Sequence, residues 1–311
     1  MIDLCKVQQI FGLVETGELD PPTVSAVKNF QLKIGKSGTG ELDDATIVAI
    51  EKFSTINLTS DGAIEDTNTF DDLDATTDLS EPRLIISEKF LYSTEYMNEL
   101  IKPEYIFIHH TSGWDDPLAV VDDWESDARG RIATQFIIGG SSVLGRSDHD
   151  GLIVKCIPDG RWGYHLGSTT KDGISHHMHK NSIGIELCNF GWLTKSGNDF
   201  KTYTGKIVKK DQVCDLGKPF RGYQYWHNYS DAQLTSLEYL LKLLIKQYKI
   251  NPVLGLQNWL NQSPGTFKAF EHSVEATAGK IKGILSHTNV RKDKTDVYPH
   301  PKLIEILKNL K

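Results

Sequence analysis

The chain has 311 residues, 39% of them hydrophobic, with 34 basic and 41 acidic side chains and a net charge of −7. That length suits one large or two smaller domains, and the acidic balance argues against a nucleic acid or an anionic membrane held by bulk electrostatics. No apolar run approaches the roughly 20 residues that a spanning helix needs, and the N-terminus lacks the basic start and apolar stretch of a signal peptide. The expectation is therefore synthesis in the cytoplasm without membrane insertion. The four cysteines, Cys5, Cys156, Cys188 and Cys214, are widely spaced with no CxxC pair, which predicts free thiols rather than a disulfide framework.

In chain order, "LCKVQQIFGL" has apolar residues at helical spacing. "DPPTVSAVKNFQLKIG" opens with an acid and two prolines, a helix start, and sets Val24, Val27 and Phe30 on one face. "SGTGELDDATIVAIEKF" repeats the scheme with Ala45, Ile47, Val48 and Ile50. Three short helices follow. The stretch resembles the peptidoglycan-binding domain attached to many cell-wall hydrolases: Thr23, Ala26, Val27, Phe30 and Gln31 match its first half, and Gly40, Leu42, Asp43 and Thr46 its second. That resemblance implies a peptidoglycan-binding helical domain over residues 1–53. Residues 54–82 are rich in Asp, Ser and Thr and poor in periodic apolar positions, so an acidic linker is predicted.

From residue 83 the pattern becomes α/β. "YIFIHH" (105–110), "ATQFIIGG" (133–140), "GLIVKCIP" (151–158) and "NSIGIELCNFG" (181–191) read as strands. Residues 230–250 read as the clearest helix, with Ser230 as N-cap and a stripe of Leu234, Leu237, Leu240, Leu241 and Leu244. A last helix is expected in "PKLIEILKNLK". Segments 195–229 and 253–280 receive no assignment.

Among eleven histidines, His176, His177 and His179 lie in a short loop-like run with nothing rigid to hold a geometry. His149, His227, His272 and His300 read as ordinary polar residues. His109 ends an apolar strand whose alternation sets Tyr105, Phe107 and His109 on one face and Ile106, Ile108 and His110 on the other. His287 and Asp296, in "SHTNVRKDKTD", would complete a set of two imidazoles and one carboxylate suited to zinc with a fourth position open. Lys294 would bring a positive charge beside it. Glu186 is an acid inside an apolar strand, where a carboxylate needs a partner or a task.

The ordered segments "YIFIHHTSG", "TQFIIGG" with "DGLIVKCIPDGRWGYHLG", "NSIGIELCNFG" and "SHTNVRKDKTD" resemble the zinc-dependent N-acetylmuramoyl-L-alanine amidases of type 2, which share a fold with peptidoglycan recognition proteins. The resemblance implies a mixed central sheet flanked by helices over residues 83–311 and one zinc ion held by His109, His287 and Asp296. It implies Glu186 as catalytic acid, Lys294 as the oxyanion-stabilising lysine and His165 at the substrate groove, with His110 turned away. Other members place a tyrosine where this chain has Thr134 and Gln135, and the chain reads Val-Tyr-Pro after Asp296. The expected activity is hydrolysis of the amide between N-acetylmuramic acid and L-alanine in peptidoglycan, by a monomer that acts as a phage or prophage endolysin and reaches the wall after release or export. A non-catalytic muropeptide-recognition protein and a zinc peptidase acting within the stem peptide are the rivals.

Overall fold

In the computed structural model, which describes residues 3–11, 16–33, 37–50, 84–113, 115–144 and 149–311, the chain divides into two units, Met1–Ser87 and Glu88–Lys311. The predicted acidic linker, 54–82, lies outside the described residues.

Helices of the first unit start where their capping acids stand. Asp3 accepts from the Cys5 N–H at the head of α1 (Leu4–Ile10), and Asp20 accepts from the Thr23 N–H at the head of α2 (Pro21–Lys33). Asp43 does the same for Thr46 at the head of α3, residues 44–50. Val7, Phe11, Val27, Phe30 and Ile50 form the core. The polar scaffold is duplicated with a 23-residue offset. The Gln8 amide donates to Thr16 Oγ1, Glu18 O and Thr23 Oγ1 while its oxygen accepts from Gly17 N. The Gln31 amide makes the same four contacts with Thr39, Glu41, Thr46 and Gly40. "TGELDPPT" and "TGELDDAT" are the two copies. Gly17 and Gly40 sit at φ 71° and 78°, the left-handed region where a side chain is strained.

The second unit is built on a six-stranded sheet in the order β1-β4-β3-β5-β2-β11. Its strands are β1 (Ile86–Glu88), β2 (Tyr105–His110), β3 (Phe136–Ile138), β4 (Ile153–Lys155), β5 (Ser182–Leu187) and β11 (Gly283–Ser286). β11, β2, β5 and β3 run parallel, and β4 pairs antiparallel with β3. Strand β3 is shorter than its apolar run predicts. At its start the Gln135 side chain takes over pairing, accepting from Gly184 N and donating to Ser182 O. At its end a Cβ on Gly139 would fall 1.8 Å from the His149 carbonyl oxygen, so the backbone there admits only glycine.

One sheet face carries Ile106, Ile108, Ile183, Ile185 and Leu187, all buried. Helix α4 (Asp231–Tyr248), capped by Ser230 as predicted, buries its leucine stripe. The other face buries Tyr105, Phe107 and Leu285 with Leu166, Met178 and Val290. This second face also carries the candidate site.

The unassigned segment 195–229 lies in a second, antiparallel sheet, β8-β7-β6-β10-β9: β6 (Trp192–Ser196), β7 (Asp199–Lys201), β8 (Ile207–Val208), β9 (Val213–Phe220) and β10 (Tyr223–His227). Segment 253–280 supplies two short helices, Leu256–Gln262 and Val274–Thr277. No helix among the described residues is long and apolar enough to cross a membrane.

A candidate metal centre with an adjacent acid

Parallel pairing sets three chain segments level. His109 on β2 lies opposite Glu186 on β5, and Ile108 lies opposite Ser286, the last residue of β11. The next residue, His287, therefore emerges beside His109. Because side chains alternate along a strand, His109, Glu186 and the Leu285–His287 pair share one face. The position is the carboxyl end of parallel strands, where open α/β sheets place their ligands.

The stretch after β11 is not a solvated connection. His287, Thr288, Asn289 and Val290 form a single buried helical turn. The Asn289 amide donates to the carbonyls of Ala269 and Glu271, and its oxygen accepts from Ser286 N. The Thr288 N–H donates to the Asp296 carbonyl at 3.0 Å, which closes the loop and returns Asp296 to His287. Arg221, at the β9–β10 turn, donates to the carbonyls of Thr288 and Lys292. The second sheet thus holds the loop that carries two of the three candidate ligands.

His109, His287 and Asp296 are 2%, 6% and 7% exposed. Their facing atoms make a tight triangle: His109 Nδ1 to His287 Nδ1 3.1 Å, His287 Nδ1 to Asp296 Oδ2 2.9 Å, and His109 Nδ1 to Asp296 Oδ2 3.3 Å. Three ligands about 2.0–2.1 Å from a tetrahedral zinc stand roughly 3.3 Å apart, so the triangle has the right scale. The tautomers agree. Ser182 Oγ donates to His179 O at 2.9 Å, so it accepts from His165 Nε2 at 2.8 Å. His165 Nδ1 then accepts from His109 Nε2 at 2.9 Å. This chain leaves the lone pair of His109 on Nδ1, facing His287 and Asp296. A ligating histidine whose second nitrogen is spoken for is the usual arrangement at a metal. These three residues are the group among the described residues that could hold a metal ion.

Burial depresses His109 to about 4, against the pull of Asp296, so the imidazole is neutral and able to ligate at neutral pH. Burial works to raise Asp296, but His287 and His109 outweigh it by charge and hydrogen bonding and hold the carboxyl well below its ordinary value. Glu186 is the reverse case. Burial, then the nearby Asp296 carboxylate, push it well above the ordinary 4.5, with Lys294 opposing. No hydrogen bond or ion pair engages the Glu186 carboxylate or the Lys294 ammonium among the described residues. Both are free to meet a substrate.

The remaining sequence candidates separate. His165 stands behind His109 with both ring nitrogens bonded. Its room comes from Gly184, where a Cβ would lie 2.6 Å from Thr134 Cγ2 and 3.2 Å from His165 Cγ. His110 points to the opposite face and bonds the Tyr229 hydroxyl at 2.9 Å. His177 pairs with Glu104, and His179 bonds the Gly167 carbonyl. All four cysteines are free thiols. Sequence reasoning missed Ser182 and Arg221. Both act through partners more than fifteen residues away in sequence, which no local pattern announces.

Two converging imidazoles and one carboxylate, with a raised acid in the adjacent strand and a lysine nearby, form a cluster able to hold a divalent metal. Residues 99–302 match the profile of the N-acetylmuramoyl-L-alanine amidase family. The chain belongs to this family and is an amidase of peptidoglycan. Comparison with curated protein sequences finds no match. Solved structures similar to it include PlyL (13% identity, TM-score 0.36, covering 68% of this chain and 86% of that one). The N-acetylmuramoyl-L-alanine amidase LysC from Clostridium intestinale URNW is 16% identical with a TM-score of 0.39, over 74% of this chain and 100% of its own. AmiD from E. coli, in complex with anhydro-N-acetylmuramic acid-L-Ala-D-gamma-Glu-L-Lys, is 20% identical with a TM-score of 0.31, over 50% and 48%.

Proposed function

We propose that the protein is a zinc amidase in which His109, His287 and Asp296 hold the ion, Glu186 moves the proton and Lys294 steadies the developing oxyanion. The observation that carries the reading is the converging triangle of three lone-pair atoms with an unengaged, raised carboxyl in the adjacent strand. When bound, zinc supplies Lewis acidity toward the scissile carbonyl and makes water a stronger acid. Glu186 accepts the proton of the attacking water and delivers it to the leaving nitrogen of L-alanine. A carboxyl held above its ordinary value suits both tasks, since its carboxylate is a stronger base toward water while its protonated form is still acid enough to protonate the leaving amine. The Lys294 ammonium, which acts on Glu186 and His109 through space, is the cation assigned to the carbonyl oxygen as it gains charge. His165 orients His109 through the bond between their rings.

The first unit resembles a peptidoglycan-binding domain, which supports a tethering role: a second grip raises the effective concentration of the wall at the catalytic unit. That pairing supports an endolysin, made in the cytoplasm and acting on the wall after release. Mass spectrometry of digested sacculi tests the reaction. Intact stem peptides with a new L-alanine amino terminus are expected. Fragments cut within the stem peptide would assign a peptidase instead, and binding without products a recognition protein.

A further inference from the structure

Side chains two apart on a strand share a face, so β5 carries Ser182, Gly184 and Glu186 on the face of the metal centre. Glu186 is the acid, and Gly184 makes room for the His165 ring. Ser182 is fully buried and meets His165 rather than a candidate ligand. Its hydroxyl has one proton and gives it to the His179 carbonyl at 2.9 Å. Toward His165 Nε2, 2.8 Å away, it can then only accept. The His165 proton is thereby fixed on Nε2, and Nδ1 accepts from His109 Nε2 at 2.9 Å. The two rings stand edge-on, with their planes 86° apart. Burial of both Ser182 and His165 keeps bulk water from competing for these contacts.

The backbone that carries His165 is fastened on two sides. The short helix His176–Lys180 leads directly into β5, and its buried His179 donates from Nε2 to the Gly167 carbonyl at 2.7 Å. That bond pins the chain two residues after His165. One residue further, the Ser168 N–H donates to Asp172 Oδ2 at 2.7 Å, and the same oxygen accepts from Arg291 Nη1 at 2.7 Å. Arg291 lies in the loop between His287 and Asp296, so the His165 segment is tied to the segment that carries two candidate ligands. Gly167 permits the approach: its φ is 103°, and a Cβ there would fall 1.8 Å from Arg291 Nη1. The histidine run 176–179 thus has a task that its sequence does not announce.

We infer that Ser182 and His179 are positioning residues that hold His165 in one place and one tautomer, and through it keep the proton of His109 on Nε2 before any ion arrives. The inference rests on the zinc reading, because its consequence is a lone pair of His109 Nδ1 kept toward the ion. Asp296 pulls the other way. Its Oδ2 lies 3.3 Å from His109 Nδ1 and would accept a proton carried there, which would block the lone pair. The relay from Ser182 therefore competes with a carboxylate for the position of one proton. Partners that orient a ligating histidine typically change metal affinity by about 10–100-fold.

Nitrogen-15 NMR of the imidazoles in the full chain, stripped of metal by a chelator at pH 8, tests it without a variant. His109 and His165 are each expected as the Nε2–H tautomer. Either of them found as the Nδ1–H tautomer would overturn the inference, so the wild-type spectrum decides even where a variant fails to fold. Ser182→Ala removes the acceptor of the His165 proton. It should shift His109 toward Nδ1–H and weaken zinc by about 10–100-fold in competition with a chromophoric chelator. His179→Leu should weaken zinc in the same direction, and His179→Gln, which keeps a donor for the Gly167 carbonyl, should restore most of the affinity. Wild-type tautomer and zinc affinity in Ser182→Ala, or equal affinity in His179→Leu and wild type, would overturn it as well. The tautomer is read in the absence of zinc, so a chain that binds no zinc and a relay that does not operate are separately visible.

Discussion

Replacing Glu186 by glutamine keeps the shape of the side chain and removes its charge. In the structure this carboxyl has no hydrogen-bonding partner among the described residues, faces His109 across the β2–β5 pair and lies near the Asp296 carboxylate. Burial and the Asp296 carboxylate disfavour the charged form of Glu186, and glutamine carries no charge, so Glu186→Gln should leave the metal-free protein at least as stable as wild type at pH 7. The pH dependence has a definite sign. A carboxyl raised in the folded state stabilises the fold below its unfolded value near 4.5, and that contribution is lost as pH rises through the folded value. Chelated wild type should show this decline, and the variant should lack it. Turnover should behave oppositely. Loss of a general acid–base group lowers rate by about 10²–10⁴-fold, or roughly 2.7–5.5 kcal/mol of barrier. Urea denaturation in chelator, run beside chromatographic assay of stem-peptide release, reads both quantities. Turnover within a few-fold of wild type, or a variant clearly less stable than wild type, would refute the assignment.

Removing the Arg221 side chain frees the carbonyls of Thr288 and Lys292. Arg221→Ala should cost about 2–3 kcal/mol, a fall in melting temperature of roughly 5–10 °C for a unit of this size, and should release metal faster to a competing chelator. An unchanged release rate would detach the second sheet from the ligand loop. His227 and His300 are both depressed to about 4, by burial first, with His110 adding to the effect on His227 and Lys302 to that on His300. For a depressed histidine the stability is whole above the unfolded value of 6.5 and is lost as pH falls through about 4. Each residue contributes on the order of 3 kcal/mol, so the chain should weaken steeply between pH 6.5 and 4. Denaturant midpoints that stay flat over that interval would contradict the burial argument.

The sequence made the catalytic sheet legible because its strands are apolar runs and its chemistry sits at their ends. His109 and Glu186 interrupt buried strands, and His287 and Asp296 sit in a stretch too polar for a core and too charged for an idle turn. The supporting structure was not legible. His165 meets His109 only because β2 and β5 pair in register and Gly184 leaves space, and neither condition shows in a linear pattern. Ser182 reads as a strand-edge polar residue until His165 is placed beside it. The second sheet did leave a trace: short alternating segments separated by Ser-Gly, Thr-Gly and Arg-Gly turns from Trp192 to His227 read as a meander once sought. The duplicated "TGELDPPT" and "TGELDDAT" stood in plain view, and a search for internal repeats finds the 23-residue offset that the glutamine cradles make physical.

Metal content measures the central claim most directly. Wild type, dialysed against zinc and then against buffer, should retain one zinc per chain, and Co(II) in its place should give the visible spectrum of a four-coordinate site. His287→Ala and Asp296→Ala should each lose the tightly bound ion while keeping the secondary structure of wild type. One zinc per chain retained by either variant, or none by wild type, would contradict the account.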